Sequence, residues 1–182
     1  MYPSEYKTYV EVEDLSQALC GKFRPGHFRG VATVVTKLLN IVSPDWAYFG
    51  QKDAQQAVII RKIVTDLNMS VKVEIMPTLR EKDGLALSSR NLYLNQEERK
   101  DALGLSQSLK LAKDLIRQGK TDSSAIINSM RKLIRAKKSA RIDYIAIVDA
   151  QNLKPLKKVS GKSLIALAVW IGKTRLIDNL KI

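Results

Sequence analysis

The residues whose types and spacing could do chemistry fall in three stretches. The first, Gly50-Gln51-Lys52-Asp53, follows the apolar run Trp46-Ala47-Tyr48-Phe49 and precedes a helical pattern. In open α/β sheets ligands bind at the carboxyl ends of strands, where backbone N–H groups and the helix dipole point outward. A lysine there supplies a mobile positive charge for phosphate, a glycine lets a ligand approach the backbone, and an acid accepts hydrogen bonds from ribose hydroxyls. The same residues also suit a plain helix start, with Asp53 as cap and Lys52 in solvent.

The second stretch is Leu87-Ser88-Ser89-Arg90-Asn91. Two hydroxyls beside an arginine can hold phosphate oxygens through neutral and charge-assisted hydrogen bonds together, and Gly84 would let such a loop swing as a lid. An ordinary turn is the alternative, because Ser and Asn are common in turns. The third is the basic run from Gly21 to Gly30, with three glycines and one proline in ten residues, which predicts a loop bearing Arg24, His27 and Arg29. His27 has no carboxylate or metal partner visible in the sequence, so a structural loop role stands beside a role near a site.

Composition bounds what these residues can serve. The chain has 182 residues, 45% hydrophobic and 27% charged, which is ordinary globular usage with enough apolar content for a core. Lysine and arginine number 31 against 18 acids, a formal charge of +13, so anionic partners are favoured. The single cysteine, Cys20, can form no intrachain disulfide, and there is no second thiol for a metal knuckle; a reducing compartment fits. The longest apolar stretch, from Leu164 to Ile171, is far short of the ~20 residues that span a bilayer.

The elements that would position these residues can be read from periodicity. Alternation over residues 8–12 predicts a short strand, and Asp14 is expected to cap a short helix running to Leu19. Val31, Val34, Val35, Leu38, Leu39 and Val42 make one helical face, which Ser43-Pro44-Asp45 stops. A buried strand over 46–49 follows, then a helix from about Asp53 with Ala57, Ile60, Val64 and Leu67 inward and Val58 and Ile63 widening the face, then a strand through Val71, Val73 and Ile75. That order, with short connections, predicts a parallel sheet. Past Pro77 a polar segment without sustained periodicity runs to Leu94. Asn95-Gln96-Glu97-Glu98 has the form of a capping box that opens a long helix ending at Gly119. Asp122 caps another, with Ile126, Ile127, Met130, Leu133 and Ile134 on its face. Strands at 141–148, 164–171 and 174–177 complete a small α+β unit.

Taken jointly, His27-Phe28-Arg29-Gly30-Val31, Tyr48-Phe49-Gly50-Gln51-Lys52-Asp53-Ala54-Gln55-Gln56 and Arg80 through Asn91 closely resemble the pantoate-beta-alanine ligase family, and the likeness runs on to the tail from Ala168 to Asn179. The resemblance implies a cytoplasmic, dimeric enzyme that activates pantoate with Mg-ATP to an acyl adenylate and lets beta-alanine displace AMP. It implies an α/β fold: an incomplete Rossmann-like parallel nucleotide-binding domain over 1–76, then an α+β domain over 77–182 with antiparallel strands and a phosphate-binding loop. Carried over by position, Gly50 and Asp53 would face the ribose and Lys52 the phosphates, with Gln51 in the same ATP-binding stretch. Leu79 and Leu87 would touch adenine through their backbones. Ser88, Ser89 and Arg90 would hold the phosphates, and with Lys52 they form the expected catalytic set. Gln56 would bind pantoate, and Arg24, His27 and Arg29 would lie near the site. Gln51 departs from the glutamate usual in the family, while the adjacent lysine and acid are intact. Magnesium would arrive bound to the nucleotide, with no metal site of the protein's own.

The family's His-x-Gly-His segment has no counterpart here, so the resemblance covers the rear two-thirds of the family chain, and the isolated chain is expected to bind ATP weakly and to make no product. Two other classes compete. A basic nucleic-acid-binding module is suggested by the run from Arg131 to Lys138, though the aromatic residues are not interleaved with basic ones as stacking platforms require. A non-catalytic dimerisation domain is the other. The ligase reading is expected to involve neither nucleic acid nor membrane.

Overall fold

The computed structural model describes residues 1–182, which divide into two compact units, Met1–Met76 and Pro77–Ile182. The first unit is built on helix α1 (His27–Val42), strand β1 (Trp46–Gly50), helix α2 (Ala54–Asp66) and strand β2 (Lys72–Met76). β1 and β2 pair in parallel, from Trp46 opposite Lys72 to Gly50 opposite Met76. A parallel pair needs a long crossover, and α2 is that crossover. Its inner face buries Ala57, Ile59, Ile60 and Ile63, and α1 contributes Phe28, Ala32 and Leu39. α1 stops where expected: Ser43 turns left-handed (φ 48°), its N–H returns to Leu39 O at 2.8 Å, and Pro44 cannot continue the helix.

Several local expectations fail in this unit. Residues 8–12 form no strand, because no neighbouring strand pairs with them; Val10 N–H donates instead to Thr33 Oγ1 on α1 at 2.9 Å. Alternation signals an extended chain, whereas a strand also needs a partner edge. Asp14 caps no helix. It sits at φ 59°, a left-handed conformation that Asp tolerates, and only a 3-10 turn follows, over Leu19–Lys22. The basic loop is shorter than its glycines suggest, since α1 already begins at His27 and takes Gly30 into its first turns. β1 is not buried: Ala47 and Phe49 are half-covered, but Trp46 and Tyr48 are exposed on the other face with their rings stacked 6.5 Å apart. A short apolar run cannot tell one covered face from two. Leu67 falls just past α2 and is exposed, Val64 is only half-buried, and Ile59 takes a fully buried place.

The second unit packs helices α3 (Gln96–Arg117) and α4 (Ser123–Arg135) on an antiparallel sheet of β3 (Ala140–Asp149), β4 (Ser163–Ile171) and β5 (Thr174–Lys181), in the order β3-β4-β5. The capping box is present: Glu98 N–H donates to Asn95 Oδ1 at 2.9 Å and Asn95 N–H to Glu98 Oε2 at 3.0 Å. Asp122 Oδ1 caps α4 through Ala125 N–H at 2.7 Å. The core joins Leu105 and Leu109 of α3, Ile126, Met130 and Ile134 of α4, and Ile165, Leu167, Val169 and Ile171 of the central strand β4. The β4–β5 hairpin turns at Gly172 (φ 55°), a left-handed conformation that glycine adopts without the penalty a Cβ would bring. No helix is long and apolar enough to cross a membrane.

Candidate active site

In the first unit the structure gathers Gly50, Gln51, Lys52, Asp53 and Gln56 at the carboxyl end of β1. The strand ends at Gly50, a 3-10 turn holds Gln51–Asp53, and α2 starts at Ala54. Asp53 occupies the cap position of α2, yet its carboxylate makes no capping hydrogen bond and it is exposed. The helix does start here, but the acid is not used to satisfy it. Gly50 is extended (φ −78°, ψ 134°) with open space where a Cβ would stand, so a ligand can approach the backbone there. Lys52 and Gln56 are half-buried, Gln56 within the first turn of α2.

The neighbouring glutamine has a different task, which the sequence did not reveal. Gln55 is buried; its Nε2 donates to Leu15 O (2.8 Å) and Ala18 O (2.7 Å), and its Oε1 accepts from Cys20 N–H (3.0 Å). It thus ties residues 15–20 to the helix that begins at the site, and satisfies main-chain groups that form no regular element. Arg24 donates to His27 Nε2 at 3.0 Å in the first turn of α1, and the Arg29 guanidinium lies 3.9 Å above the Tyr9 ring.

In the second unit the other expected residues lie on a hairpin from Leu79 to Leu87 and on the turn that follows it. Leu87 N–H donates to Leu79 O at 2.9 Å, Glu81 N–H to Leu85 O at 2.8 Å, and Gly84 N–H to Glu81 O at 2.8 Å. Leu79 and Leu87 so engage each other through the main chain, and their side chains stand exposed. Gly84 (φ 91°) is the tip of a tight turn, and the main-chain bonds on either side of it hold the hairpin together as one unit. Arg80 reaches β5, where its two terminal nitrogens contact Asp178 Oδ2 and Oδ1 at 2.7 and 3.0 Å. After the hairpin, Ser88 is extended and caps the 3-10 turn Ser89–Tyr93, its Oγ accepting from Arg90 N–H at 3.3 Å. Ser89 and Arg90 are exposed, Ser88 is half-buried, and Asn91 is buried beneath them. Hydroxyls and a guanidinium presented on one short turn are suited to phosphate oxygens.

The turn is held from below by charge. Arg99 on α3 donates to both oxygens of Glu81 (3.2 and 2.9 Å) and through Nε to Asp83 Oδ2 (2.9 Å), while Asn91 Nδ2 donates to Glu81 Oε1 at 2.6 Å. Arg99 was not singled out from the sequence. Its partners lie 16 and 18 positions away, beyond any local pattern. Hydrogen bonds from Arg99 first, then Asn91, hold the Glu81 carboxyl below its ordinary 4.5, and Arg99 holds Asp83 below 3.8. A depressed folded-state pKa contributes stability that is full above the unfolded value and is lost as pH falls through the folded one. The hairpin should therefore loosen on acidification below about 4. Amide exchange at residues 81–91 measured against pH should show this loosening in the wild type and much less of it in Arg99→Met, where neither carboxyl has a guanidinium to lose.

Both sets of residues fall within a single family match. The family profile described as pantoate-beta-alanine ligase matches residues 1–181. Pantothenate synthetase of Moorella thermoacetica is 57% identical over 180 residues, and that of Fervidobacterium nodosum 58% over 180; each alignment takes in 99% of this chain and 64% of the relative. This chain thus spans just under two-thirds of the length of the curated relatives it matches. Among solved structures, pantothenate synthetase from Thermus thermophilus superposes with a TM-score of 0.95 at 43% identity, covering 100% of this chain and 66% of the other. Pantoate-beta-alanine ligase from Francisella tularensis, crystallised with beta-gamma ATP and beta-alanine, gives 0.74 at 33% identity, covering 99% and 60%.

Proposed function

The chain belongs to the pantoate-beta-alanine ligase family, and from that premise we propose that its residues serve an ATP-dependent ligase which joins (R)-pantoate to beta-alanine. A carboxylate oxygen of pantoate attacks the α-phosphorus of ATP and pyrophosphate leaves. The amine of beta-alanine then attacks the acyl carbon, an amide forms, and AMP departs with the oxygen that linked it to the acyl group. The observation that carries this reading is the extent of the family match: residues 1–181 include both the Gly50–Asp53 corner and the Ser88–Arg90 turn, the two places where this chain presents groups suited to a nucleotide.

The roles follow from chemistry. Negative charge grows on the α-phosphate and on departing pyrophosphate, and a lysine at a strand end stabilises it most when already in place. That is the role of Lys52. Ser88, Ser89 and Arg90 hold phosphate oxygens. Gly50 and Asp53 face the ribose, for which the Asp53 carboxylate, making no capping bond to α2, is available; Gln51 belongs to the same ATP-binding stretch, and Leu79 and Leu87 lie by the adenine. Gln56 binds the pantoate hydroxyl or carboxylate, with Arg24 and His27 nearby. The groups offered to the phosphates are cations and hydroxyls, which suit a magnesium-bound triphosphate as an anion, so the ion is carried by the nucleotide. In this reading Met1–Met76 is the second part of a nucleotide-binding domain and Pro77–Ile182 an α+β domain with the phosphate-binding turn. The enzyme is cytoplasmic and works as a homodimer, as the family likeness suggests. The reading is tested in a longer chain that adds the family's His-x-Gly-His segment: pantothenate and AMP should appear in equal amounts only when pantoate, beta-alanine and Mg-ATP are all supplied. ATP breakdown indifferent to pantoate would contradict it.

A further inference from the structure

We propose that Arg99 is the positioning residue of the Ser88–Arg90 turn, acting through Glu81 and Asn91 without itself reaching a substrate. The inference rests on the ligase reading for what the turn binds, but its geometry stands by itself.

The path begins on a rigid element. Arg99 lies in the first turn of α3, whose start is fixed by the Asn95–Glu98 capping box and by Arg99 N–H donating to Asn95 O at 2.8 Å. Its guanidinium grips Glu81 with two hydrogen bonds and Asp83 at the hairpin tip. Glu81 then passes the constraint to Asn91, whose Nδ2 donates both to Glu81 Oε1 (2.6 Å) and to Ala86 O (3.1 Å). Asn91 in turn closes the phosphate-facing turn from beneath, its N–H donating to Ser88 O at 3.0 Å. Asn91 is buried, so water cannot readily take over these bonds. Ser88, Ser89 and Arg90 thus ride on a backbone that the Arg99 guanidinium braces through Glu81 and Asn91. A planar fork that serves two carboxylates at once is a task for arginine; a lysine ammonium would meet one of them well.

Side chains that hold phosphate must stand within a fraction of an ångström of their working positions, so loss of the support should be read in ATP handling and not only in stability. In the longer chain, Arg99→Met is expected to raise the KM for ATP or lower kcat by roughly ten- to a hundredfold, with the KM values for pantoate and beta-alanine unchanged. Arg99→Lys should fall between, because it restores one of the two carboxylate contacts. Asp122→Ala, which removes the cap of α4 and touches nothing in the turn, serves as a control for destabilisation alone and should leave the KM for ATP unchanged. A second readout needs no nucleotide: trypsin cleavage after Arg90 in the free protein should be roughly tenfold faster in Arg99→Met, because opening the turn exposes the bond. Should Arg99→Met fail to fold, Glu81→Gln keeps an acceptor for Asn91 while removing the charge that Arg99 grips, and should show the same pattern more weakly. Unchanged ATP kinetics together with unchanged cleavage after Arg90 would overturn the proposal, as would an ATP defect no larger than that of Asp122→Ala at equal melting temperature. A wild-type protein without pantoate-dependent ATP use would sink the ligase reading instead, and the cleavage rates would still decide whether Arg99 sets the turn.

Discussion

Lys52→Ala is expected to lower adenylate formation by about 10²–10³ while leaving the fold intact, the loss typical when one preorganised electrostatic donor is removed from a site of charge development. The side chain lies in a 3-10 turn at the end of β1, outside the packed faces of α1 and α2, so its removal opens no cavity in the core. Pyrophosphate exchange dependent on pantoate, measured in a chain that carries the His-x-Gly-His segment, reads the first half-reaction alone. A mutant that exchanges at the wild-type rate would show that Lys52 is a solvated helix-start lysine.

The second large effect concerns the hairpin's anchor to the sheet. Asp178 on β5 has 1% of its side chain exposed, and its charge is met by Arg80, itself 34% exposed. Removing one partner of a buried pair can cost about 3–5 kcal/mol because a carboxylate is left desolvated and unpaired. The partial exposure of Arg80 lets water reach the pair, so a loss of roughly 2 kcal/mol is expected for Arg80→Met. For a unit of this size that is a drop on the order of 10 °C in melting temperature. Replacing both partners, Arg80→Met with Asp178→Leu, should recover much of it, because no charge is then stranded. A single mutant that melts with the wild type would show that the pair contributes nothing measurable.

Legibility differed by the kind of signal. The capping box at Asn95, the cap at Asp122 and the stop at Ser43-Pro44 were plain in the sequence, since each is a local pairing of side chain and backbone within a few residues. The parallel pair β1–β2 and the antiparallel β3-β4-β5 sheet followed from the order and length of the apolar runs. The extended chain at 8–12 misled because its support is one threonine on α1 rather than a neighbouring strand. At the site, the stretches themselves were legible through residue type, but their supports were not. Gln55 looked like its neighbour Gln56, yet it is bonded to residues 35 to 40 positions away. Arg80 looked like one more polar loop residue, although its partner is 98 positions off. Contacts at such separations leave no periodic trace.

If pantoate is activated through an acyl adenylate, its carboxylate oxygens record the route. Pantoate labelled with oxygen-18 in its carboxylate should be turned over with Mg-ATP and beta-alanine by the chain that includes the His-x-Gly-His segment, and the AMP and pyrophosphate then examined by mass spectrometry. One labelled oxygen is expected in each AMP released and none in pyrophosphate, because the carboxylate oxygen that attacks the α-phosphorus leaves with it when the amide forms. Label in inorganic phosphate with ADP as co-product, or unlabelled AMP, would contradict it.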